Sequence, residues 1–133
     1  MIVHIMHTGH LLDNKVSTML KEFAITHVQF NILKVLEAAH PEPLSVGEIK
    51  HGVLFSNSDV TRIIDRLVNK KLVERELCPN NRRKMDIKMS SDGFELLKRI
   101  APKLTETFDD YYERNISDKD AQNIISLLKK IKG

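Results

Sequence analysis

The sequence predicts a mainly α-helical chain with one small β-hairpin: a winged helix-turn-helix flanked by N- and C-terminal helices. Three observations carry that prediction. Three helix starts use the same device, a Ser or Thr followed three residues later by Gln, Glu or Asp, and the last two helices are separated by one short turn. Two strand-like runs around a Pro-Asn turn follow the last of them. The charge is also uneven. Between Arg62 and Lys88 there are nine Lys/Arg against four Asp/Glu, a net of +5 in a chain whose total is +3. Such a concentration suits a polyanionic partner better than a solvated surface.

Taken in order, residues 2–22 read as a helix. Ile2, Ile5, Met6, Leu12, Val16, Met19, Leu20 and Phe23 recur at helical spacing, with Gly9 a weak point. The stripe is broad for the edge of a small domain, so it needs something more to pack against. Thr26 with Gln29 makes a capping box, and Ile25 with Phe30 a hydrophobic staple. That helix runs to about Ala39 and stops before Pro41. Val28, Phe30, Ile32, Leu33, Val35 and Leu36 make it apolar nearly all round, so it should be largely buried.

The device repeats at Ser45 and Glu48, between Leu44 and Ile49, and Gly52 ends the short helix. After the link from Gly52 to Phe55 it recurs at Ser56 and Asp59, between Phe55 and Val60. The recognition helix is expected over 56–70. Val60, Ile63, Ile64, Leu67 and Val68 form its apolar stripe, and Asn57, Ser58, Thr61, Arg62, Asp65, Arg66 and Asn69 its polar face. Leu72 to Leu77 and Lys84 to Met89 are the expected strands, with the wing over 78–84. Phe94, Leu97, Ile100, Ala101, Leu104, Phe108 and Tyr111 then continue a helix to about Arg114, and Pro102 should kink it. Ser117 and Asp120 open a last helix with Ile124, Ile125, Leu128 and Ile131 on one side. These terminal helices exceed what a winged helix needs. Their apolar faces most simply bury each other across a two-fold axis. The division expected is a lobe over 24–100 and a helical dimerisation region over 1–23 and 101–133, within one domain of 133 residues.

Composition narrows the class. Hydrophobic content of 41% permits a packed core. No apolar run approaches the ~20 residues of a membrane span. MIVHIMHTGH has neither a basic n-region nor a small-residue cleavage site. One cysteine excludes an internal disulfide and agrees with a reducing cytoplasm. There is no G-x-S-x-G, P-loop, dinucleotide fingerprint or H-E-x-x-H, so an enzyme is not expected, and no cofactor.

The stretches IT-HVQFNIL, LSVGEI, SNSDVTRIIDRLVNKKLVER and NNRRKMDIKMSSDG, in that order and spacing, resemble the multiple-antibiotic-resistance regulator (MarR) family over roughly residues 10–115. The resemblance implies a dimeric winged-helix transcription regulator, commonly a repressor, that binds a pseudo-palindromic operator in double-stranded DNA. It also implies control by a small aromatic or phenolic effector lodged between the dimer helices and the DNA-binding lobe. Two departures matter. The family has Gly after the recognition helix where this chain has Lys71, which should cost about 1 kcal/mol or alter the turn. The family wing carries Asp where Cys78 and Asn81 stand, the second Asp orienting an arginine that corresponds to Arg83.

The expected site follows. Arg62 and Arg66 contact phosphates or guanine edges, and Asn57, Ser58 and Thr61 contact bases or backbone. Arg82, Arg83 and Lys84 reach flanking phosphates or the minor groove. The N–H groups of Ser45 and Ser56 hold phosphates. The bland alternatives are an Arg62–Asp59 or Arg66–Asp65 pairing on a solvated face, and Ser56 serving as a cap. His4, His7 and His10 fan across about a third of a helix and could furnish two metal ligands, but nothing nearby completes a set, so no metal is expected. Cys78 beside Arg75, Arg82 and Arg83 is either a redox switch or an incidental turn residue. The rival to DNA binding is a winged helix used for protein–protein contact. No membrane partner is expected.

Overall fold

The computed structural model describes residues 1–54 and 59–133, without the side chains of Arg82, Asp110, Tyr111 and Glu113. Its order is α1 (Ile2–Leu20), a 3-10 turn (Lys21–Phe23), α2 (His27–Ala39), α3 (Val46–Gly52), α4 (Val60–Asn69), β1 (Val73–Cys78), β2 (Asn81–Met89), α5 (Ser91–Asn115) and α6 (Asp118–Lys132). This is the mainly helical, hairpin-bearing fold that periodicity predicts. Two compact units divide it, Met1–Ile100 and Ala101–Gly133.

The core of the first unit comes from the expected stripes. Leu20, Ile32, Leu33, Ile49, Ile64, Leu67, Ile87 and Ile100 are almost wholly buried. α1 passes through Gly9 unbroken. The Thr26 capping box is complete: Thr26 Oγ1 accepts the Gln29 N–H at 3.2 Å and Gln29 Oε1 accepts the Thr26 N–H at 3.0 Å. α2 buries a face rather than its whole circumference, since Val28, Phe30 and Val35 are only half-buried. α1 is fastened to the start of α2 by Asp13 Oδ1 and His27 Nδ1, 2.5 Å apart.

The recognition helix departs from expectation at its start. It begins at Val60, not 56, and Asp59 is its N-cap, with φ −72° and ψ 86°. Asp59 accepts the Arg62 N–H at 3.3 Å, so it is not the third residue of a helix that Ser56 caps. The physical reason is that a carboxylate caps as well as a hydroxyl and adds negative charge at the positive helix end.

The hairpin also differs. Val73 pairs with Met89 and Leu77 with Met85, and a bulge between Leu77 and Cys78 then brings Cys78 opposite Asn81. Only Pro79 and Asn80 are left for the turn, and β2 starts at Asn81 instead of Lys84. Leu44 adds an unforeseen third edge: its N–H and carbonyl bond Ile87 at 2.9 and 2.8 Å. That ties the entry of α3 to the wing.

At the end of α4, Lys71 adopts φ 62°. The Lys71 N–H bonds the Val68 carbonyl at 2.9 Å and the Leu72 N–H bonds the Leu67 carbonyl at 3.0 Å. This pair is a Schellman closure, with the left-handed residue where glycine is favoured. The lysine therefore takes the strained option and the turn is unaltered. Lys71→Gly should raise unfolding stability by about 1 kcal/mol, less the small entropic gain of the unfolded chain. Urea denaturation measures it; a lower midpoint would contradict the strain.

α5 starts on Ser90, whose Oγ accepts the Gly93 N–H at 3.1 Å and donates to the Lys71 carbonyl at 2.6 Å. Pro102 lies inside α5 without ending it. In the second unit, Ser117 Oγ accepts the Asp120 N–H at 3.2 Å and so caps α6, as expected.

Candidate nucleic-acid interface

α4 turns Val60, Ile64 and Leu67 inward and leaves Thr61, Arg62, Asp65, Arg66 and Asn69 exposed. The chain entering it is held from behind, because Asn31 Oδ1 on α2 accepts the Leu54 N–H at 2.8 Å. Ser45 Oγ accepts the Glu48 N–H at 3.2 Å and donates to the Glu48 carboxylate, so its hydroxyl is committed to capping α3. Ser56, Asn57, Ser58 and the Arg82 side chain lie outside what the structure describes.

The exposed cations divide into two kinds. Some have partners. Asp65 pairs with Arg75 of β1, not with Arg66. Lys88 stands 3.0 Å from Glu76 and 3.7 Å from Glu74, and the hydrogen bond and charge of Glu76 raise its pKa above the usual lysine value, with Glu74 adding to the effect. Arg62 is an intermediate case, 3.9 Å from Asp59 with both side chains about two-thirds exposed. An ion pair that open contributes little and is easily exchanged for another anion. Others have no ion-pair partner among the described residues: Arg66, Arg83 and Lys84, all exposed. Asn81 Oδ1 accepts the backbone N–H of Arg83 at 3.1 Å. It braces the strand rather than the guanidinium.

Of the residues expected from the sequence, Thr61, Arg62 and Arg66 are exposed on α4, and Arg83 and Lys84 on β2. Sequence reasoning missed Asn31, Arg75 and Lys70, which hold those elements in place. Cys78 is half-buried at the bulge. His4, His7 and His10 are exposed on α1, and among the described residues no three His, Cys, Asp or Glu side chains come together as a metal set. No helix of the described residues is long and apolar enough to cross a membrane.

Comparison with known proteins agrees with this geometry. The MarR family model matches residues 25–85. An uncharacterized HTH-type transcriptional regulator, YsmB of Bacillus subtilis, is 28% identical over 123 residues, covering 92% of this chain and 83% of its own. In fold, the chain is similar to AbsC, a MarR family transcriptional regulator of Streptomyces coelicolor (TM-score 0.87, 22% identity, 97% and 87% coverage). It is also similar to a mutant MarR of Escherichia coli in complex with operator DNA (TM-score 0.80, 24% identity, 98% and 92% coverage). The first two of these are named as transcriptional regulators, and the third is bound to operator DNA. Residues 25–85, which hold the capped helix pair, the exposed basic helix and most of the basic hairpin, match the MarR family model, and the whole chain shares its fold with MarR family transcription regulators.

Proposed function

We propose that the protein is a repressor that binds a pseudo-palindromic operator as a homodimer. The observation that carries this is the set of exposed cations without an ion-pair partner among the described residues, Arg66, Arg83 and Lys84, beside the loosely held Arg62 on α4 and the wing. A solvated surface would distribute its acids to neutralise them, as Glu74 and Glu76 do for Lys88. On this reading α4 enters the major groove, with Arg62 and Arg66 on phosphates or guanine edges. Asn57, Ser58 and Thr61 contact bases or backbone. Arg82, Arg83 and Lys84 meet the flanking backbone or minor groove, and the N–H groups of Ser45 and Ser56 hold phosphates. A repressor role is supported by MprA of Escherichia coli, a transcriptional repressor 29% identical over 92 residues.

The dimer reading rests on apolar surface. Ile2, Val3, Met6 and Leu11 on α1 and Ile124, Ile125, Leu127, Leu128 and Ile131 on α6 are all exposed in one chain. Two such rows are more than a monomer ordinarily leaves in water, and a two-fold axis buries both. Residues 1–23 and 101–133 are then the clamp and 24–100 the reading lobe. Effector control by a small aromatic ligand is supported by BpsR of Bordetella bronchiseptica, a similar fold whose DNA binding is regulated by 6-hydroxynicotinic acid.

Selection of bound duplexes from a random pool, with the mass in solution measured by sedimentation, tests the reading. The expected result is a two-fold symmetric site and a mass of two chains. A monomer, or no enrichment at low salt, overturns it and favours the protein–protein module.

A further inference from the structure

We infer that Lys70 is a positioning residue that registers the recognition helix against the end of α1. Lys70 is the C-cap of α4. Its Nζ donates to the carbonyl of Ala24 and lies 3.4 Å from Gln29 Oε1. Those two oxygens belong to the junction between the N-terminal helix and the lobe. Ala24 closes the 3-10 turn after α1 with φ 54°, and Gln29 is the buried partner in the Thr26 capping box. The contact therefore spans 46 and 41 residues of chain and joins three elements.

The choice of partner is informative. Asp92 and Glu95 line the same groove, of about 460 Å³, as Lys70 and Ala24. A lysine serving only to balance charge would sit on a carboxylate. This one sits on two neutral oxygens whose positions are fixed by backbone and by a completed cap. A hydrogen bond from an ammonium to such acceptors is directional and stronger than a neutral one.

Its place along α4 separates this role from DNA contact. Lys70 follows the last helical residue, about 15 Å from the Val60 end that carries Thr61 and Arg62. A small pivot at the C-cap becomes a larger displacement at the tip. Specific binding requires two tips at fixed separation, about one helical turn of DNA, whereas non-specific binding tolerates misplacement because it is carried by phosphates.

The inference rests on the proposed dimeric DNA binding, and the experiment separates the two. Affinities of the full-length wild type, Lys70→Met and Lys70→Arg are measured on the duplex that the wild type selects from a random pool and on a scrambled duplex, across a salt series. Active protein is fixed by stoichiometric titration, so that unfolded chains do not count. Lys70→Met should lower the operator-to-scrambled ratio about tenfold with the salt slope unchanged, and Lys70→Arg, which keeps donors within reach, should restore most of it. An unchanged ratio in Lys70→Met overturns the inference, and so does a uniform loss with a slope shallower by one or more, which marks a phosphate contact. If the wild type selects no duplex, it is the DNA reading that fails, and this inference falls with it.

Discussion

Gly93→Ala should unfold about 10 °C below the wild type, the largest stability loss expected from a Cβ added at any of the five glycines. A Cβ built at Gly93 stands 2.5 Å from Met89 Cγ and closer still to the Leu72 carbonyl oxygen. The methionine end could swing aside. The carbonyl cannot, because it accepts the Ser90 N–H at 3.0 Å, and Leu72 itself closes the α4 terminus through its N–H to Leu67. Gly93 in turn gives its own N–H to Ser90 Oγ. Relief of the clash must open either the α5 cap or the end of the recognition helix. Overpacking of this kind costs about 3 kcal/mol, which for a domain of this size is about 10 °C in thermal unfolding. The same variant should lose operator specificity before it loses non-specific binding, since the strained backbone leads directly into α4. A melting point within about 2 °C of wild type would show that the Ser90 junction is softer than its hydrogen bonds imply.

That junction also shows where sequence reasoning reaches and where it stops. The helices were legible because each is specified by residues three and four apart: the stripe from Ile2 to Phe23, the Thr26–Gln29 box, the Ser117–Asp120 cap. The hairpin was legible from the alternation of Met85, Ile87 and Met89. The start of α4 is ambiguous in the sequence, because Ser56 and Asp59 satisfy the capping-box pattern and Asp59 alone satisfies the single-cap pattern. Choosing between them depends on how the link from α3 is held, and Asn31 holds it from 23 residues away. The alternating pattern makes the turn too wide, because a bulge leaves no mark in it. Leu44 gave no strand signal, since one residue has no period. The cations were legible as a cluster, but their division into paired and unpaired was not. Asp65 could choose Arg66, one residue on, or Arg75, ten residues on, and only the fold brings β1 alongside α4.

The second large effect is expected from Arg83→Ala, which should raise the dissociation constant for the selected operator about a hundredfold at low salt. Three features lead to this number. The Arg83 side chain is exposed without an ion-pair partner among the described residues, so nothing in the fold needs it. Its backbone N–H is held by Asn81 Oδ1 two residues earlier on β2, so the guanidinium starts from a braced strand and loses little freedom on binding. The proposed homodimer would carry two wings, so one substitution removes two charge-assisted contacts, each worth roughly tenfold. The salt series separates this from a folding defect. Each lost phosphate contact should make the slope of log K against log salt shallower by about 0.9, so a dimer loses about 1.8 and a lone subunit about half that. The slope therefore reports the number of wings on the duplex as well as the role of the residue. A full-strength slope with weakened binding would place Arg83 away from phosphate, and unchanged affinity would remove the wing from the interface. Binding should fall alike on operator and scrambled duplex, the opposite of the pattern expected for Lys70→Met. The two variants together distinguish a residue that supplies attraction from one that supplies alignment.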